Sequence, residues 1–213
     1  MSTIVVATGN VAKFKEIKSI LDGYGIDARM PDLRIDVEEG TASYEDNAIL
    51  KASYLASRLG TDALGEDSGI EVPALGGFPG VVSARFVPGP DSARNAALLD
   101  RMKALAPGRR KAVFKAYAAI ALKAGGCITG YGELEGTIAD GPAGADGFGY
   151  DPVFVPEGYD VTLAQMTHED KNRVSHRRKA LEDVVRKYIE YKSPLPPFAK
   201  GGDGSFPPLK KGE

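Results

Sequence analysis

Four short segments that mix glycine with charged or aromatic side chains are spread over most of this chain. They are residues 8–13 (TGNVAK), 66–69 (EDSG), 147–151 (GFGYD) and 175–177 (SHR). Glycine allows the backbone to approach a ligand closely, and the neighbouring side chains are of the kinds that contact phosphate, a metal ion or a flat ring. If the four segments form one site, the fold must bring together parts of the chain that lie far apart in sequence.

The order of the predicted elements indicates an α/β fold. A short apolar run over residues 3–7 predicts a strand, and the turn after it leads into a helix with Asn10 at its N-cap. A second helix is predicted over residues 44–59, closed by Gly60, and a brief strand over residues 63–66.

The second half of the chain predicts a helix, a strand pair and a last helix. The third helix is predicted over residues 92–105 from the spacing of its leucines and methionine. Residues 111–123 and 127–138 have strand patterns joined by a glycine pair, which predicts an antiparallel hairpin. The last helix is predicted to start near Ser175 and to run to about residue 191.

The composition changes after Lys192. Residues 193–213 contain five prolines and four glycines and have no helical or strand periodicity. Such a segment buries too little apolar surface to offset the entropy of ordering it, which predicts disorder. We therefore expect one folded domain over residues 1–192 and a disordered Pro/Gly-rich tail over residues 193–213.

Charge, cysteine content and hydropathy argue against several classes of protein. The formal net charge of −2 gives no overall basic surface for nucleic acid. Cys127 is the only cysteine, which excludes an intramolecular disulfide and makes a reduced, cytoplasmic setting the expectation. We find no stretch of ~18 apolar residues, and therefore expect no membrane span.

The first segment is placed to bind phosphate. The helix after the first strand presents free N–H groups at its start, Gly9 lets the backbone approach, and Lys13 adds a mobile positive charge. The spacing differs from that of the G-x-x-x-x-G-K-[ST] phosphate loop. An ordinary capped turn with a solvated lysine is the alternative.

The second segment carries an acidic pair where the brief strand is predicted to end. A carboxylate there suits Mg²⁺, which prefers one or two carboxylates together with phosphate oxygens and water, and it can also take a proton from a water molecule. Glu38 and Glu39, ahead of the second helix, are a weaker source of a further metal ligand. A polar turn is the alternative, since Asp-Ser-Gly is also turn chemistry.

The last two segments indicate contacts to a ring. Phe148 lies between two glycines, which leaves its ring free to stack on a flat ligand unless it packs into the core. His176 and Arg177 add polar groups at a helix start, a few residues after Lys171. An exposed basic turn is the alternative there.

Taken in order, these segments indicate a site for a nucleoside triphosphate. With them, the chain resembles the Ham1/RdgB-type inosine triphosphate pyrophosphatases, also called dITP/XTP pyrophosphatases. Six ordered motifs carry the resemblance, which extends from about residue 3 to residue 191. They are residues 8–13 (TGNVAK), 47–52 (NAILKA), 66–69 (EDSG), 75–80 (LGGFPG), 147–152 (GFGYDP) and 175–177 (SHR).

The resemblance implies a fold and an activity. The fold would be an elongated mixed β-sheet flanked by helices, in two lobes with a central cleft. The enzyme would need Mg²⁺, form a homodimer and hydrolyse non-canonical purine nucleoside triphosphates (dITP, ITP and XTP) to the monophosphate and pyrophosphate. Such enzymes remove deaminated purines from the nucleotide pool.

The resemblance also implies roles for single residues. Asp67 would be the catalytic carboxylate and a metal ligand, and Glu39 a second acidic residue near the metal. Glu66 stands where many bacterial relatives have aspartate, and both are carboxylates. The implied triphosphate contacts are Thr8, Gly9, Asn10, Lys13, Lys51 and Ser68, and the implied base contacts are Phe148, Gly149, Tyr150, Asp151, Lys171, His176 and Arg177.

Two other functions stay open on the residues alone. A Maf-like pyrophosphatase that acts on pyrimidine or modified nucleotides would use the same chemistry with a different base pocket. A nucleotide sensor without catalysis would not need the carboxylate of Asp67 beside a metal. A Rossmann dinucleotide enzyme is disfavoured, because no G-x-G-x-x-G follows the first strand.

Overall fold

Strands and helices alternate in the computed structural model, which describes residues 3–193 without residues 34, 36, 41 and 107. The predicted α/β class is confirmed. The strands are β1 (Thr3–Val6), β2 (Asp27–Arg29), β3 (Ala63–Val72), β4 (Phe78–Pro79), β5 (Lys111–Ala121), β6 (Cys127–Ile138) and β7 (Phe154–Pro156). The helices are α1 (Val11–Asp22), α2 (Tyr44–Leu59), α3 (Asp91–Met102), α4 (His168–Val174) and α5 (His176–Lys192).

All of these strands belong to one mixed sheet in the order β2-β1-β3-β5-β6-β7, with β4 also paired to β3. β1 is parallel to both β2 and β3, whereas each of the pairs β3–β5, β5–β6 and β6–β7 is antiparallel. The ladder between β5 and β6 runs from Lys111↔Thr137 to Ala121↔Cys127, which confirms the predicted hairpin.

Helices cover both faces of the sheet at short distance. α2 packs on one face, and α1 and α5 pack on the other. Glycines in the strands allow the close approach: a β-carbon on Gly65 would lie 2.2 Å from the carbonyl oxygen of Ala48 in α2. A β-carbon on Gly132 would lie 2.2 Å from the carbonyl oxygen of His176 in α5. Both helices are therefore held by the sheet at positions where no side chain fits between them.

Two hydrophobic cores share the α1/α5 face of the long strands. Leu64 belongs to the core under α1 and α5, whereas Ile70, six residues further along β3, belongs to a second core with α3 and β7. Between them on the same face of the strand lie Glu66, which is buried, and Ser68. The break in apolar surface divides the molecule into two lobes and places polar groups in the cleft, as the resemblance implied.

Several boundaries differ from the predicted ones. β3 continues to Val72 instead of ending at residue 66, and α3 ends at Met102 instead of residue 105. α4 was not predicted, because it has no buried apolar stripe; Thr167 caps it by accepting a hydrogen bond from the amide of Asp170. Residues 194–213 of the predicted tail lie outside the described part of the chain. No helix among the described residues is long and apolar enough to cross a membrane.

Candidate active site

β3 has an uncovered length of edge in the middle of the sheet. On this edge β1 pairs with β3 as far as Val6↔Leu64, and β4 pairs with it only from Glu71↔Pro79 onwards. Residues 65–70, which we call the open edge, have no strand partner on this side within the described residues. The amide of Ile70 instead donates to the hydroxyl of Ser83 at 3.0 Å. The open edge is therefore bounded by β1 at one end and by the loop around Ser83 at the other.

The acidic pair lies inside β3, not at its end, and it is not part of a turn. Pleating sends adjacent side chains to opposite faces, so Glu66 faces α1 and α5 whereas Asp67 faces α2. Both are buried, with 3% of Glu66 and 6% of Asp67 exposed. The prediction that the pair ends a strand is wrong, and the two carboxylates serve separate environments.

Asp67 is held by groups from α2. Lys51 Nζ donates to Asp67 Oδ1 at 3.0 Å and to Glu39 Oε1 at 2.7 Å. Asn47, one helical turn before Lys51, donates from Nδ2 to Asp67 Oδ2 at 3.0 Å. Arg85 donates to the other oxygen of Glu39 at 2.7 Å. The carboxylates of Asp67 and Glu39 thus converge on one ammonium group.

The two carboxylates differ in basicity. Burial raises the pKa of Asp67, although Lys51 and Asn47 partly oppose the shift. Burial acts in the same direction on Glu39, but Lys51 and Arg85 outweigh it, so the pKa of Glu39 lies below its usual value. Asp67 is therefore the better proton acceptor of the two.

The same pair could hold a hard divalent cation. Among the described residues, no group of three or more His, Cys, Asp and Glu side chains is arranged to hold a metal ion. Asp67 and Glu39 offer carboxylate oxygens at one place, next to the open edge. A site with two carboxylates that leaves the remaining positions to phosphate oxygens and water fits the habits of Mg²⁺.

The turn between β1 and α1 brings the first segment to the open edge. Asn10 is the N-cap of α1, as predicted, and accepts a hydrogen bond from the amide of Lys13 at 3.0 Å. Thr8 in turn accepts from the amide of Asn10 at 3.1 Å. Lys13 Nζ lies 2.5 Å from Glu66, and its charge also lowers the pKa of Glu39. Lys13 therefore acts on both faces of β3.

Glu66 binds cations on the α5 side. Arg177 donates from Nε to Glu66 at 3.1 Å and from its terminal nitrogens to Ser68, at 3.2 Å, and to Glu16. Burial would raise the pKa of Glu66, but Lys13 and Arg177 hold it well below its usual range. Glu66 is therefore an anion that fixes two cations and not a proton acceptor.

The glycine-flanked aromatic segment lies beside these cations. Lys171 Nζ donates to Asp151 at 2.7 Å and to Glu16 at 3.2 Å. Asp151 also accepts from the amide of Phe148 at 2.8 Å, and burial raises its pKa although Lys171 opposes the shift. The ring of Phe148 has Lys171 Nζ 5.0 Å and the Arg177 guanidinium 5.3 Å from its centroid. The ring is partly buried and stays at the edge of the cleft.

His176 and Tyr150 support the cleft from within. The His176 imidazole stacks on Phe114, with centroids 4.6 Å apart and planes 8° apart. Burial, followed by the charge of Arg177, holds the pKa of His176 well below its usual value, so the ring is neutral at pH 7. The hydroxyl of Tyr150 donates to the carbonyl of Ser83 at 2.7 Å.

One cavity joins most of the predicted site residues. Those that line it are Asn10, Lys13, Ser68, Phe148, Gly149, Tyr150, Asp151, Lys171, His176 and Arg177. Thr8 and Gly9 precede Asn10 on the same turn, outside the lining. Asp67, Lys51 and Glu39 lie on the α2 face of β3 and are not part of the cavity wall. The structure therefore places the predicted residues in two adjoining compartments that meet at the open edge.

Sequence reasoning missed five polar residues that hold this arrangement. Asn47 lies four residues before Lys51 on the buried face of α2, and a polar residue on that face was a usable signal. Glu16, Arg85, Asp91 and Asn95 carried no signal in the sequence. They are recognised only from their contacts with Lys171 and Arg177, with Glu39, and with Gly149.

Known sequences of one protein family match this chain over most of its length. The profile of the Ham1 family matches residues 4–187. A protein of Deinococcus deserti named dITP/XTP pyrophosphatase is 44% identical over 197 residues, which cover 91% of this chain and 91% of the relative. A Thermus thermophilus protein of the same name is 45% identical over 190 residues, which cover 87% of this chain and 91% of the relative.

Solved structures of Ham1 proteins superpose on this chain over most of its length. The Ham1 protein of Staphylococcus aureus superposes with a TM-score of 0.77 at 34% identity and covers 90% of this chain and 100% of that one. A Ham1 protein of Coxiella burnetii superposes with a TM-score of 0.79 at 32% identity and covers 89% and 100%.

Proposed function

The chain belongs to the Ham1 family, and on this premise we propose that it is a nucleoside triphosphate pyrophosphatase. It hydrolyses the non-canonical purine nucleotides dITP, ITP and XTP to the monophosphate and pyrophosphate. The relatives that match over most of its length carry the name dITP/XTP pyrophosphatase. At the site, the proposal rests on the arrangement of β3. The carboxylate of Asp67 lies on one face of this strand, the cavity with Phe148 lies on the other, and the open edge joins them.

The chemistry assigned to Asp67 is proton transfer. Cleavage between the α- and β-phosphorus atoms needs a water molecule, a group that takes its proton, and neutralisation of the charge on the leaving pyrophosphate. Asp67 has the raised pKa that suits the proton acceptor. Lys51 supplies positive charge beside it and Lys13 supplies positive charge beside Glu66, while Thr8, Gly9, Asn10 and Ser68 are the further candidates for triphosphate contacts.

We assign Mg²⁺ to Asp67 and Glu39. When bound, the ion supplies charge neutralisation at the phosphate oxygens and orientation of the reacting groups. The pair of carboxylates now shares Lys51, whose pKa is raised because the two acidic groups outweigh the effect of burial. Lys51 therefore stays charged beside the metal ligands and can hold both carboxylates ionised.

Base choice follows from donors in the cavity. Hypoxanthine and xanthine present a carbonyl oxygen at purine position 6, where adenine presents an amine. Lys171 and Arg177 line the cavity and are donors only. Both side chains can donate a hydrogen bond to a carbonyl oxygen. An amine opposite them leaves a buried donor unpaired. That costs ~1–3 kcal/mol, or a factor of ~10–100, per contact. Phe148 provides the stacking surface, with Gly149, Tyr150, Asp151 and His176 shaping the wall.

The proposed cellular setting follows from the substrate. The nucleotide pool is in the cytoplasm, and we place the enzyme there as a homodimer, without a nucleic-acid or membrane partner. The exposed, unpaired thiol of Cys127 agrees with a reducing compartment. Sedimentation equilibrium tests the dimer directly.

The decisive experiment is a product assay. The chain is incubated with ITP, dITP, XTP, ATP, GTP and the pyrimidine triphosphates, with Mg²⁺ or with chelator, and pyrophosphate and orthophosphate are measured separately. We expect pyrophosphate from ITP, dITP and XTP, little turnover of ATP, and loss of turnover with chelator. Orthophosphate as the first product, equal rates on ATP and ITP, or a preference for pyrimidines would contradict the proposal.

A further inference from the structure

Gly149, the residue after Phe148, is held by hydrogen bonds to helix α3, which carries none of the groups around Asp67. Asn95 of α3 donates from Nδ2 to the carbonyl of Gly149 at 3.1 Å. Asp91, one turn earlier on the same helix, accepts from the amide of Gly149 at 2.6 Å. Both polar groups of this glycine are therefore bound to side chains of α3, whose residues Asp91 and Arg94 also line the substrate cavity.

The segment needs such a hold because its own backbone is permissive. Gly147 and Gly149 both have positive φ, +80° and +63°, a region that glycine enters freely. The amide of Phe148, between them, is bound from the other side by Asp151. The orientation of the Phe148 ring thus depends on hydrogen bonds to Asp151 and to α3.

The wall that carries the ring is thin. Gly147, Phe148 and Gly149 line a second cavity on the α3 side, which Asn95 and Asp91 also line. Phe148, Gly149 and Asp91 line the substrate cavity as well. Since there is open space on both sides of this segment, packing alone does not fix it, and the two hydrogen bonds from α3 carry that task.

Asn95 is kept at an energetic cost. Only 5% of the residue is exposed, and its Oδ1 has no hydrogen-bond partner among the described residues. A buried, half-satisfied amide stabilises a helix less well than an apolar side chain of the same size. Departures of this kind are concentrated at functional sites, and the group that Asn95 does satisfy is Gly149.

We infer that Asp91 and Asn95 are positioning residues that hold the Gly149 peptide so that the Phe148 ring presents its face to the nucleobase. They act on base recognition and not on the hydrolytic step, because the groups around Asp67 lie on the opposite face of β3. The inference rests on the proposed function for its substrate. Its structural part, the control of the ring by α3, does not.

The kinetic test separates base binding from phosphate binding. Asn95→Leu removes the donor to Gly149 at similar volume. We expect KM for ITP to rise about tenfold with kcat within about threefold of the parent, which is the pattern of lost binding and not of lost chemistry. The inhibition constant of tripolyphosphate, which has no base, should stay within about twofold of the parent.

Conservative and distant variants complete the series. Asp91→Asn keeps an oxygen that can accept from the Gly149 amide but loses the charge that pairs with Arg94, so it should raise KM less than Asp91→Ala, which should raise it as Asn95→Leu does. Asp100→Ala, which lies on the same helix and removes only an exposed ion pair with Lys103, is the control. A purely structural role would give equal effects for Asp91→Asn and Asp91→Ala.

A spectroscopic readout needs no turnover. The chain contains no tryptophan, so Phe148→Trp introduces a single indole at the ring position. Adding Asn95→Leu to it should at least double the acrylamide quenching constant, because the indole is no longer held against the wall. Asp100→Ala should leave the constant unchanged.

The outcomes are distinct. If ITP is hydrolysed by the parent but Asn95→Leu changes neither KM nor indole quenching, the inference fails and the proposed function stands. If tripolyphosphate weakens as much as ITP, α3 supports the whole cleft and the inference fails. If the parent does not hydrolyse ITP while quenching changes as expected, the proposed function fails and the control of the ring by α3 stands.

Discussion

Glu66 and Asp67 are neighbours in sequence, but β3 gives them different chemistry by turning them to opposite faces. Asp67 is surrounded by one lysine, one amide and a second carboxylate, and burial raises its pKa. Glu66 is surrounded by Lys13 and Arg177, which lower its pKa. The two positions should therefore respond differently to the same change from carboxylate to amide.

Asp67→Asn should lose turnover and keep the fold. The amide cannot accept the proton of water and is a poorer Mg²⁺ ligand, while Asn47 can still donate to its oxygen. We expect kcat to fall by ~10²–10⁴-fold with a melting temperature close to that of the parent. Steady-state pyrophosphate release and a thermal melt check both points, and activity within a few-fold of the parent would move the proton acceptor elsewhere.

Glu66→Gln should instead lose stability. The substitution leaves the buried guanidinium of Arg177 and the ammonium of Lys13 with less compensation. Removing one partner of a buried ion pair typically costs ~3–5 kcal/mol. Urea unfolding at pH 7 measures the difference, and a variant as stable as the parent would contradict this role of Glu66.

The neutral state of His176 makes stability depend on pH. Its pKa is lowered in the fold, so below pH ~6.5 the unfolded chain takes up a proton that the folded chain does not. The contribution is complete above pH ~6.5 and is lost as the pH falls through the folded-state pKa, with a slope of up to ~1.4 kcal/mol per pH unit. His176→Phe keeps the stack on Phe114 but cannot titrate.

The measurement is the free energy of unfolding at pH 7.5, 6.5 and 5.5 for the parent and His176→Phe. Their difference should change steadily in favour of the variant as the pH falls, since the other titrating groups are common to both. Parallel profiles would mean that His176 takes up its proton at the same pH in the folded and the unfolded chain.

At the scale of elements, the helices with capping signals and an apolar stripe were predictable, and the strand that carries the site was predicted only over residues 63–66 and not to its full length. α2 begins after Ser43 and ends before Gly60, as predicted, because cap chemistry is local. The middle of β3 has no apolar alternation, because site residues occupy both of its faces. Its length follows from pairing with β5, which no local pattern contains.

Gly65 fixes the distance between α2 and β3, and with it the position of Lys51 relative to Asp67. Gly65→Ala would place a methyl group 2.2 Å from the carbonyl oxygen of Ala48. We expect a loss of about 1–3 kcal/mol or more in unfolding free energy, together with a fall in kcat, because α2 must move away. Gly141→Ala is the matched control, since a β-carbon there meets nothing within 4 Å. Equal effects of the two substitutions would contradict this account of the interface.

At the scale of the whole molecule, the ordered segments could be assigned to one site from the sequence, whereas their division into two compartments could not. The pleat of β3 and the gap between β1 and β4 cause that division, and both arise from pairings between distant residues. Arg85 was missed for the same reason, since its partner Glu39 is 46 positions away.

A chain that ends at Lys192 should match the full chain. The last helix is anchored through Tyr188, whose hydroxyl donates to Asp62 at 2.8 Å, and through Lys192, which pairs with the same carboxylate. Both anchors are retained in the shortened chain. Melting temperature, turnover of ITP and sedimentation should be unchanged, and a fall of several degrees or loss of a dimer would show that residues 193–213 contribute to the fold.

The contacts of Arg177 have a consequence for the order of assembly. Its partner Glu16 is 161 positions away in the chain, so the ring-binding cavity closes only when the first and last helices have met. Contacts of such separation slow folding, because a long loop must close before they form. A chain that lacks α5 consequently has no closed ring-binding cavity. Nucleotide that binds this cavity can therefore stabilise only the fully folded chain, by mass action. Its presence during refolding should raise the folded fraction without speeding the steps that precede closure of the cavity.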